Sequence, residues 1–325
     1  MSDKATEVEQ KGGAFGRLRK RLDFNEIYIL LALVVICVVL AILSPVFLTV
    51  NNFKNVIIQA SINATLACGM TFVILSGGID LSVGSVLAFA GVVMGSALEA
   101  GLPVTIAMLV AIAVGGGSGL INGLFITVGK LPPFISTLGM MSVARGFALL
   151  YTGGRSISGF SRSFTAVAND SWLGIPIIIW ILVVVYVIGW FVLRYTTMGR
   201  YTYAMGGNEE ATRLSGIRVD LYKTIVYVIS GATAGIAAFM LAARLNSAQP
   251  IAGVTYELTA IAATVIGGTS LAGGEGKIVG TIIGALLISV IQNGLNLLNV
   301  SSYVSQIVIG AVIVGAVLLD RFRRR

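Results

Sequence analysis

The sequence predicts an all-helical, polytopic membrane protein with about ten transmembrane helices. Three observations lead to this fold class. Apolar residues make up 56% of the 325-residue chain and charged residues only 11%, whereas roughly a quarter of a soluble domain is charged. The mean hydropathy is +0.94. Apolar segments of about 20 residues, the length that crosses a bilayer, recur along nearly the whole chain.

The chain begins with a polar tail, residues 1–26, whose basic residues cluster between positions 17 and 21. A basic run before an apolar segment is also typical of a signal peptide. The apolar segment 27–43 is long for that role, however, and no small-x-small cleavage site follows it. We therefore predict an uncleaved first span with the tail in the cytoplasm.

About ten segments meet the length requirement for a span. They lie near 27–43, 55–76, 82–98, 104–127, 133–151, 175–194, 222–243, 257–270, 278–296 and 304–320. Together they form one transmembrane domain, residues 27–320, followed by a basic tail, residues 321–325. An even number of spans places both termini in the cytoplasm.

The basic residues agree with this orientation, because most Lys and Arg fall on the inner side of the predicted topology. The exceptions are Lys54, Arg145, Arg155, Arg162 and Arg244. The net charge of +8 does not indicate nucleic-acid binding, since the basic residues neither gather on one face nor interleave with aromatic residues.

The longest polar interruption, residues 195–223, falls on the cytoplasmic side of this topology. Within it, the sequence predicts a short helix from Asn208 to Leu214. Asn208 is a favourable N-cap, the first turn is acidic, and Gly216 supplies a stop. A solvated loop between two spans is the simpler interpretation, but this loop is longer and better capped than the topology requires.

Several glycines recur at four-residue spacing within the apolar segments. They are Gly115, Gly119 and Gly123, then Gly231 and Gly235, then Gly276, Gly280 and Gly284. On a helix this spacing forms a stripe of small residues that lets neighbouring backbones approach closely. We interpret the stripes as packing sites within the chain rather than as a seam for self-dimerisation.

Two glycine-rich breaks, residues 77–84 and 267–274, interrupt the apolar pattern and share the form GG-x-x-L-small-x-G. Matching breaks are typical of the inverted repeats of transporters. The predicted topology places both breaks on the same side of the membrane, which disagrees with a simple inverted repeat. Two interpretations stay open: shared turn chemistry, or one misplaced span.

Asp80 lies in the first break. A charge at the bilayer centre costs about 2.5–3.5 kcal/mol on insertion scales, so such a residue usually faces a cavity, a partner or a substrate path. Near the interface, Asp80 would instead cap the following helix through the amides of Ser82 and Val83. Arg145 and Glu257 carry a similar ambiguity, as pathway residues or as members of structural ion pairs.

The sequence contains no pattern of a catalytic, metal or cofactor site. The chain has no His, and Cys37 and Cys68 both lie in apolar segments, which argues against a zinc cluster or a disulfide framework. Lys277 follows Gly276 but lacks the upstream glycine of a phosphate-binding loop. A protein of this kind that moves a solute must take energy from an ion gradient or from a partner.

Four motifs occur in a recognisable order. They are SGGIDLSVGS (76–85), GRYTYAMGGNEEATRLSGI (199–217), ARLNSAQPIAGVTYELTAIAATVIGGTSLAGGEG (243–276) and NGLNLL (293–298). With them, nearly the whole chain resembles the permease subunits of bacterial ABC monosaccharide importers, and most of all the ribose-importer permeases.

This resemblance implies a vitamin-B12-importer-like (type II ABC importer) permease fold in the bacterial inner membrane. It implies a second permease copy, a cytoplasmic ABC ATPase subunit and a periplasmic sugar-binding protein as partners, and no nucleotide site in this chain. The segment Asn208–Gly216 becomes a coupling helix that docks on the ATPase. Its residues are Asn208, Glu209, Glu210, Ala211, Thr212, Arg213, Leu214, Ser215 and Gly216.

A neutral sugar needs only weak hydrogen bonds along its path through such a permease. The candidate path or gate residues are Asp80, Ser82, Asn63, Thr71, Asn122, Thr137, Gln292 and Asn293. The outer segments 153–172 and 244–256 are the expected docking sites of the binding protein.

Two other functions compete with this one. A stand-alone, ion-coupled secondary transporter of a polar solute would use Asp80 or Glu257 as its ion site. A structural or channel subunit would move no solute against a gradient.

Overall fold

The computed structural model of the protein describes residues 24–323. The tail 1–26 therefore lies almost wholly outside the described residues, as do the last two residues of the tail 321–325. The described part contains thirteen helices and four two-residue strands.

The helices are α1 (Phe24–Leu43), α2 (Val50–Leu75), α3 (Val83–Glu99), α4 (Val104–Thr127), α5 (Pro133–Thr152), α6 (Arg162–Asn169), α7 (Ile177–Tyr195), α8 (Thr197–Gly207), α9 (Glu209–Leu214), α10 (Val219–Leu245), α11 (Tyr256–Ile266), α12 (Ile278–Leu297) and α13 (Ser302–Arg323). The strands are β1 (Ile157–Ser158), β2 (Ser171–Trp172), β3 (Ile175–Pro176) and β4 (Ser247–Ala248). Strand β1 pairs antiparallel with β4, and β2 with β3.

Each of the ten predicted spans coincides with one helix. Six of these helices, α2, α4, α5, α7, α10 and α12, are long and apolar enough to cross a membrane by length and composition. The other four, α1, α3, α11 and α13, contain shorter apolar stretches, so the count of ten spans stays a prediction. Helix α11 has 11 residues, about 16 Å at 1.5 Å per residue, because the second break ends it at Gly267.

Helices α2 and α10 form the centre of the bundle. In their most apolar 18-residue windows, 83% and 72% of the residues are buried, compared with 28% in α4 and α5 and 22% in α7. The outer helices expose large apolar side chains such as Leu109, Phe134 and Val187. This distribution is the one expected of helices that face lipid on their outer side.

The polar interruption 195–223 is more ordered than the predicted loop with one short helix. It contains α8 as well as α9, and α10 already begins at Val219. Thr196 caps α8 by accepting a hydrogen bond from the Gly199 amide at 3.4 Å. The rings of Tyr201 and Tyr222 meet edge to face, with centroids 4.7 Å apart, which packs α8 against α10.

The glycine stripes are packing sites within the chain, as predicted. A Cβ on Gly115 would fall on the carbonyl oxygen of Gly231, and a Cβ on Gly231 would fall on that of Gly115. Gly119 and Gly123 meet the α10 backbone in the same way, and Gly235 meets the α4 backbone. Helices α4 and α10 therefore touch backbone to backbone along this seam.

The prediction of the third stripe is confirmed only in part. Gly280 and Gly284 of α12 contact the backbone of α11 at Gly267 and Ala263. Gly276 does not belong to this stripe, because it precedes α12 and has a φ of 152°. The four-residue glycine spacing in the sequence thus starts two residues before the helix does.

We expect an added methyl group to destabilise the α4–α10 seam according to its position. Gly119→Ala would overlap the backbone at Tyr227, and such overpacking costs about 1–3 kcal/mol. Gly117→Ala is the matched control, because a Cβ there meets nothing within 4 Å and alanine favours a helix. The thermal unfolding midpoint in detergent should fall for Gly119→Ala and stay level or rise for Gly117→Ala. Equal midpoints would contradict the close contact.

Candidate functional site

Helix α9 is formed by its caps. The side chain of Asn208 accepts a hydrogen bond from the Ala211 amide at 2.9 Å, as an N-cap does. Glu209 and Glu210 lie in the first turn, where the positive end of the helix favours acidic residues. Gly216, with a φ of 81°, follows the last turn. The predicted short helix is thus present, from Glu209 to Leu214.

Two ion pairs join α9 to the start of α10, and two further pairs lie beside them. Lys223 lies closest to Glu209, at 2.6 Å, and Arg213 contacts Asp220 at 2.8 Å. Longer contacts of 3.4 Å join Arg213 to Glu209 and Lys130 to Asp220. The hydrogen bond to Asp220 raises the pKa of the Arg213 guanidinium above its ordinary value. The network joins α9 to the start of α10 and to the segment between α4 and α5.

One face of α9 remains free of these contacts. Glu210 is exposed and forms no ion pair with any residue between 24 and 323. Leu214 is 83% exposed and lies four residues later, on the same face of the helix. Thr212 is only 6% exposed and faces the bundle. Helix α9 therefore presents an acid and a large apolar side chain outward.

The Asp80 carboxylate lies in a buried polar cluster and is 1% exposed. Its Oδ1 accepts hydrogen bonds from the Ser82 amide at 2.9 Å and from the Ser82 hydroxyl at 2.6 Å. Its Oδ2 accepts one from the Ser230 hydroxyl at 2.8 Å. Asn122 donates to the Ser82 hydroxyl at 3.0 Å. Across the described residues, no Lys or Arg lies within ion-pair distance of Asp80.

This cluster lies deep in the bundle. Ser230 is eleven residues after Val219, the first residue of α10, which corresponds to about 16 Å along the helix. Of the two amides that Asp80 was expected to cap, only that of Ser82 is bonded. Helix α3 begins at Val83, and the second carboxylate oxygen of Asp80 bonds to Ser230 of α10 instead of to the Val83 amide.

The other polar candidates divide between two places. Thr137 belongs with the Asp80 cluster, because its hydroxyl contacts the carbonyl of Ile79 at 3.3 Å. The rest lie along the seam between α2 and α12. The polar pairs there are Thr71–Thr281 at 2.9 Å, Asn63–Ser289 at 3.2 Å, Gln59–Gln292 at 3.0 Å and Asn52–Asn293 at 2.8 and 3.1 Å. The eight predicted residues therefore form two groups rather than one site.

Arg145 binds backbone rather than an acid. Its Nη1 donates to the carbonyls of Pro250 and Ala252, both at 2.7 Å. No ion pair joins Arg145 to Glu257 within the described residues. Arg145 thus holds the segment between β4 and α11 against α5.

The two glycine-rich breaks meet in the structure. The Gly274 amide donates to the Leu75 carbonyl at the end of α2, at 2.9 Å, and Gly206 of α8 lies beside both residues. The aligned glycines differ in conformation, however: Gly77 has a φ of 78°, whereas Gly267 has a φ of −63°. The two breaks therefore have a similar composition and lie next to each other, but their backbone turns differ in conformation.

Sequence reasoning missed the partners of these polar groups. Ser230 and Ser289 are isolated polar residues in apolar helices. Only their position within a span indicates that they could form hydrogen bonds between helices. Tyr227 was missed as well. Its hydroxyl is buried beside Gly78 and has no hydrogen-bond partner in the described part of the chain.

These features define the class of protein: a polytopic membrane protein whose buried polar groups bridge its helices, as in a permease. Residues 52–317 match the family described as branched-chain amino acid transport system / permease component, and the chain belongs to that permease family. The resemblance based on the four motifs is thereby confirmed at the level of the family.

Three curated relatives have similar lengths and are ribose import permease proteins. The protein from Haemophilus influenzae is 46% identical over 296 residues, which cover 90% of this chain and 92% of the relative. The protein from Escherichia coli K12 is 48% identical over 295 residues, with the same coverage. The protein from Bacillus subtilis is 45% identical over 323 residues, 99% of each chain. No solved structure matches the chain.

We expect the acceptor geometry at Asp80 to determine the stability of the first break. In Asp80→Asn, the carbonyl oxygen can still accept from Ser82, and the amide nitrogen can donate to the Ser230 hydroxyl. In Asp80→Ala, the buried donors lose their acceptor, at a cost of about 1–3 kcal/mol each. The thermal midpoint should therefore drop for Asp80→Ala and hold for Asp80→Asn. Equal losses in both variants would refute this account.

Proposed function

We propose that this chain is the transmembrane permease subunit of an ATP-driven, binding-protein-dependent importer of a monosaccharide, ribose or a related sugar. The observation that carries the proposal is the 45–48% identity to ribose import permeases over 90–99% of the chain. The family description names branched-chain amino acids, but the relatives that match at this identity are named for a sugar. The specific relatives outweigh the broad family label.

In this proposal the chain has the vitamin-B12-importer-like fold, with ten spans in one domain, residues 27–320. It lies in the bacterial inner membrane with both termini in the cytoplasm, and its partners are an ABC ATPase, a periplasmic sugar-binding protein and a second permease copy. The contact between the two breaks and α8 supports this topology, since the ten-span order places both breaks and the loop 195–223, which contains α8, on the cytoplasmic side.

Helix α9 is the proposed coupling helix. A short helix held by two caps and by two ion pairs to α10 can move as a rigid body when a partner subunit pushes it. Glu209 forms ion pairs with Lys223 and Arg213, and its pair with Lys223 holds α9 against α10. Glu210 and Leu214 are left to contact the ATPase. In this proposal the two adjacent glutamates therefore have different roles.

The two sets of buried polar residues, the Asp80 cluster and the α2–α12 seam, are the proposed sugar path or gate. Around Asp80 and along the α2–α12 seam, hydroxyl and amide groups satisfy one another across helices. Single interhelical hydrogen bonds of this kind contribute only about 0.6 kcal/mol on average. They can therefore exchange partners with a neutral sugar when the helices separate. ATP-driven movement of α9 would switch which side of the path is open.

Uptake energetics distinguish this function from that of a secondary transporter. In membrane vesicles that contain the ATPase and the binding protein, sugar accumulation should depend on ATP and persist with a protonophore. Collapse of uptake despite ATP would support an ion-coupled transporter instead. Accumulation against a gradient by the reconstituted complex would exclude a passive channel subunit.

Substitution of the outward face of α9 should separate coupling from folding. We expect Glu210→Arg to abolish uptake, because it reverses the charge that meets the ATPase, with roughly tenfold weaker docking for each 1.4 kcal/mol lost. Gly216→Val should also abolish uptake, because a φ of 81° strains a β-branched residue. Membrane insertion and docking of the binding protein should be unaffected in both.

The matched control is Glu99→Arg, the same charge reversal at an exposed residue of α3 far from α9 along the chain. It should transport normally. Normal ATP-dependent uptake by Glu210→Arg and Gly216→Val would refute the docking role of α9.

A further inference from the structure

Three backbone segments meet at one point beside α9, and we call this point the glycine junction. It consists of the end of α2 at Leu75–Gly77, Gly206 near the end of α8, and the turn Gly273–Gly274 in the second break. A Cβ on Gly273 would lie 2.8 Å from the Gly206 oxygen and 3.0 Å from the Gly77 Cα. No side chain separates these segments.

Hydrogen bonds as well as close packing hold the glycine junction together. The Gly274 amide donates to the Leu75 carbonyl at 2.9 Å, which joins the second break to the end of α2, just before the first break. Tyr203 of α8 donates from its hydroxyl to the Gly276 carbonyl at 2.9 Å, which joins α8 to the second break. Backbone contacts of this kind are as dense as a protein interior and transmit displacement without slack.

Gly206 is the residue on which this packing depends. A Cβ there would overlap both the Leu75 oxygen and the Gly274 nitrogen. Gly77, Gly273 and Gly274 have φ values of 78°, 86° and 73°, so their turns need glycine for conformation. Gly206 has an ordinary helical backbone, and its only requirement is the close approach.

The ion pairs that connect α9 to α10 are more compliant. They run through long, partly exposed side chains, such as the pair of Arg213 and Asp220. By contrast, only Gly207 separates Gly206 from Asn208, the cap of α9. The stiff route from α9 into the bundle therefore passes through the glycine junction.

We infer that the glycine junction transmits the movement of α9 to both helix breaks, so that α8, α9 and the breaks move as one unit. This inference rests on the coupling role proposed for α9. From the first break, movement reaches Asp80 and the start of α3. From the second break, it reaches α12, whose Thr281 and Ser289 bond to α2. One displacement of α9 thus acts on both the Asp80 cluster and the α2–α12 seam.

The test compares two adjacent glycines in the complete complex in proteoliposomes. Gly206→Ala forces the three segments apart, whereas Gly207→Ala adds the same methyl group where nothing lies within 4 Å. With loaded binding protein, Gly206→Ala should still hydrolyse ATP but move roughly two- to thirtyfold less sugar per ATP, the range for substitutions along a coupling network. Gly207→Ala should keep the ratio of the unsubstituted protein. A normal ratio in Gly206→Ala would overturn the inference.

A distance measurement decides the question even where Gly206→Ala does not fold. Spin labels at Ser215→Cys and Ala272→Cys, with Cys37 and Cys68 replaced by alanine, report the separation of α9 from the second break. The separation should be the same without nucleotide and with ATP bound. A change of several ångströms would overturn the inference. Absence of ATP-dependent uptake in the unsubstituted complex would instead count against the proposed function.

Discussion

Direct contact between backbones, made possible by glycine, is the interaction on which the rest of this structure depends. Lipid tails are as apolar as leucine, so helices in a bilayer gain little from burying apolar side chains against each other. Close approach of main chains replaces that driving force. It occurs between α4 and α10 at Gly115 and Gly231, between α11 and α12 at Gly267 and Gly280, and at the glycine junction.

The buried polar groups follow from this packing. Once the helices lie close together, a hydroxyl or amide in a span needs a partner on its own helix or on a neighbouring one, because lipid provides none. Asp80 is the extreme case, since it is held by three donors from Ser82 and Ser230. The close packing that small residues allow thus brings these polar side chains within hydrogen-bond distance of one another.

The elements were predicted best where a signal is local. Hydropathy located the long helices, and the cap at Asn208 located α9 to within one residue. Helix α8 was missed because its sequence, TMGRYTYAMGG, is neither apolar enough for a span nor strongly amphipathic. Its order depends on contacts with distant residues, including Tyr201 with Tyr222 and Tyr203 with Gly276.

The sequence by itself determined the class of protein, the helices long enough to span, the capped helix and the type of residue at each break. Only the tertiary structure decided which of these residues meet. Asp80 and Ser230 are 150 residues apart, and Asn63 and Ser289 are 226 apart. Hydropathy, helix period and capping act over a few residues. The pairing of helices is instead set by which backbones can approach, and a single sequence does not display that complementarity.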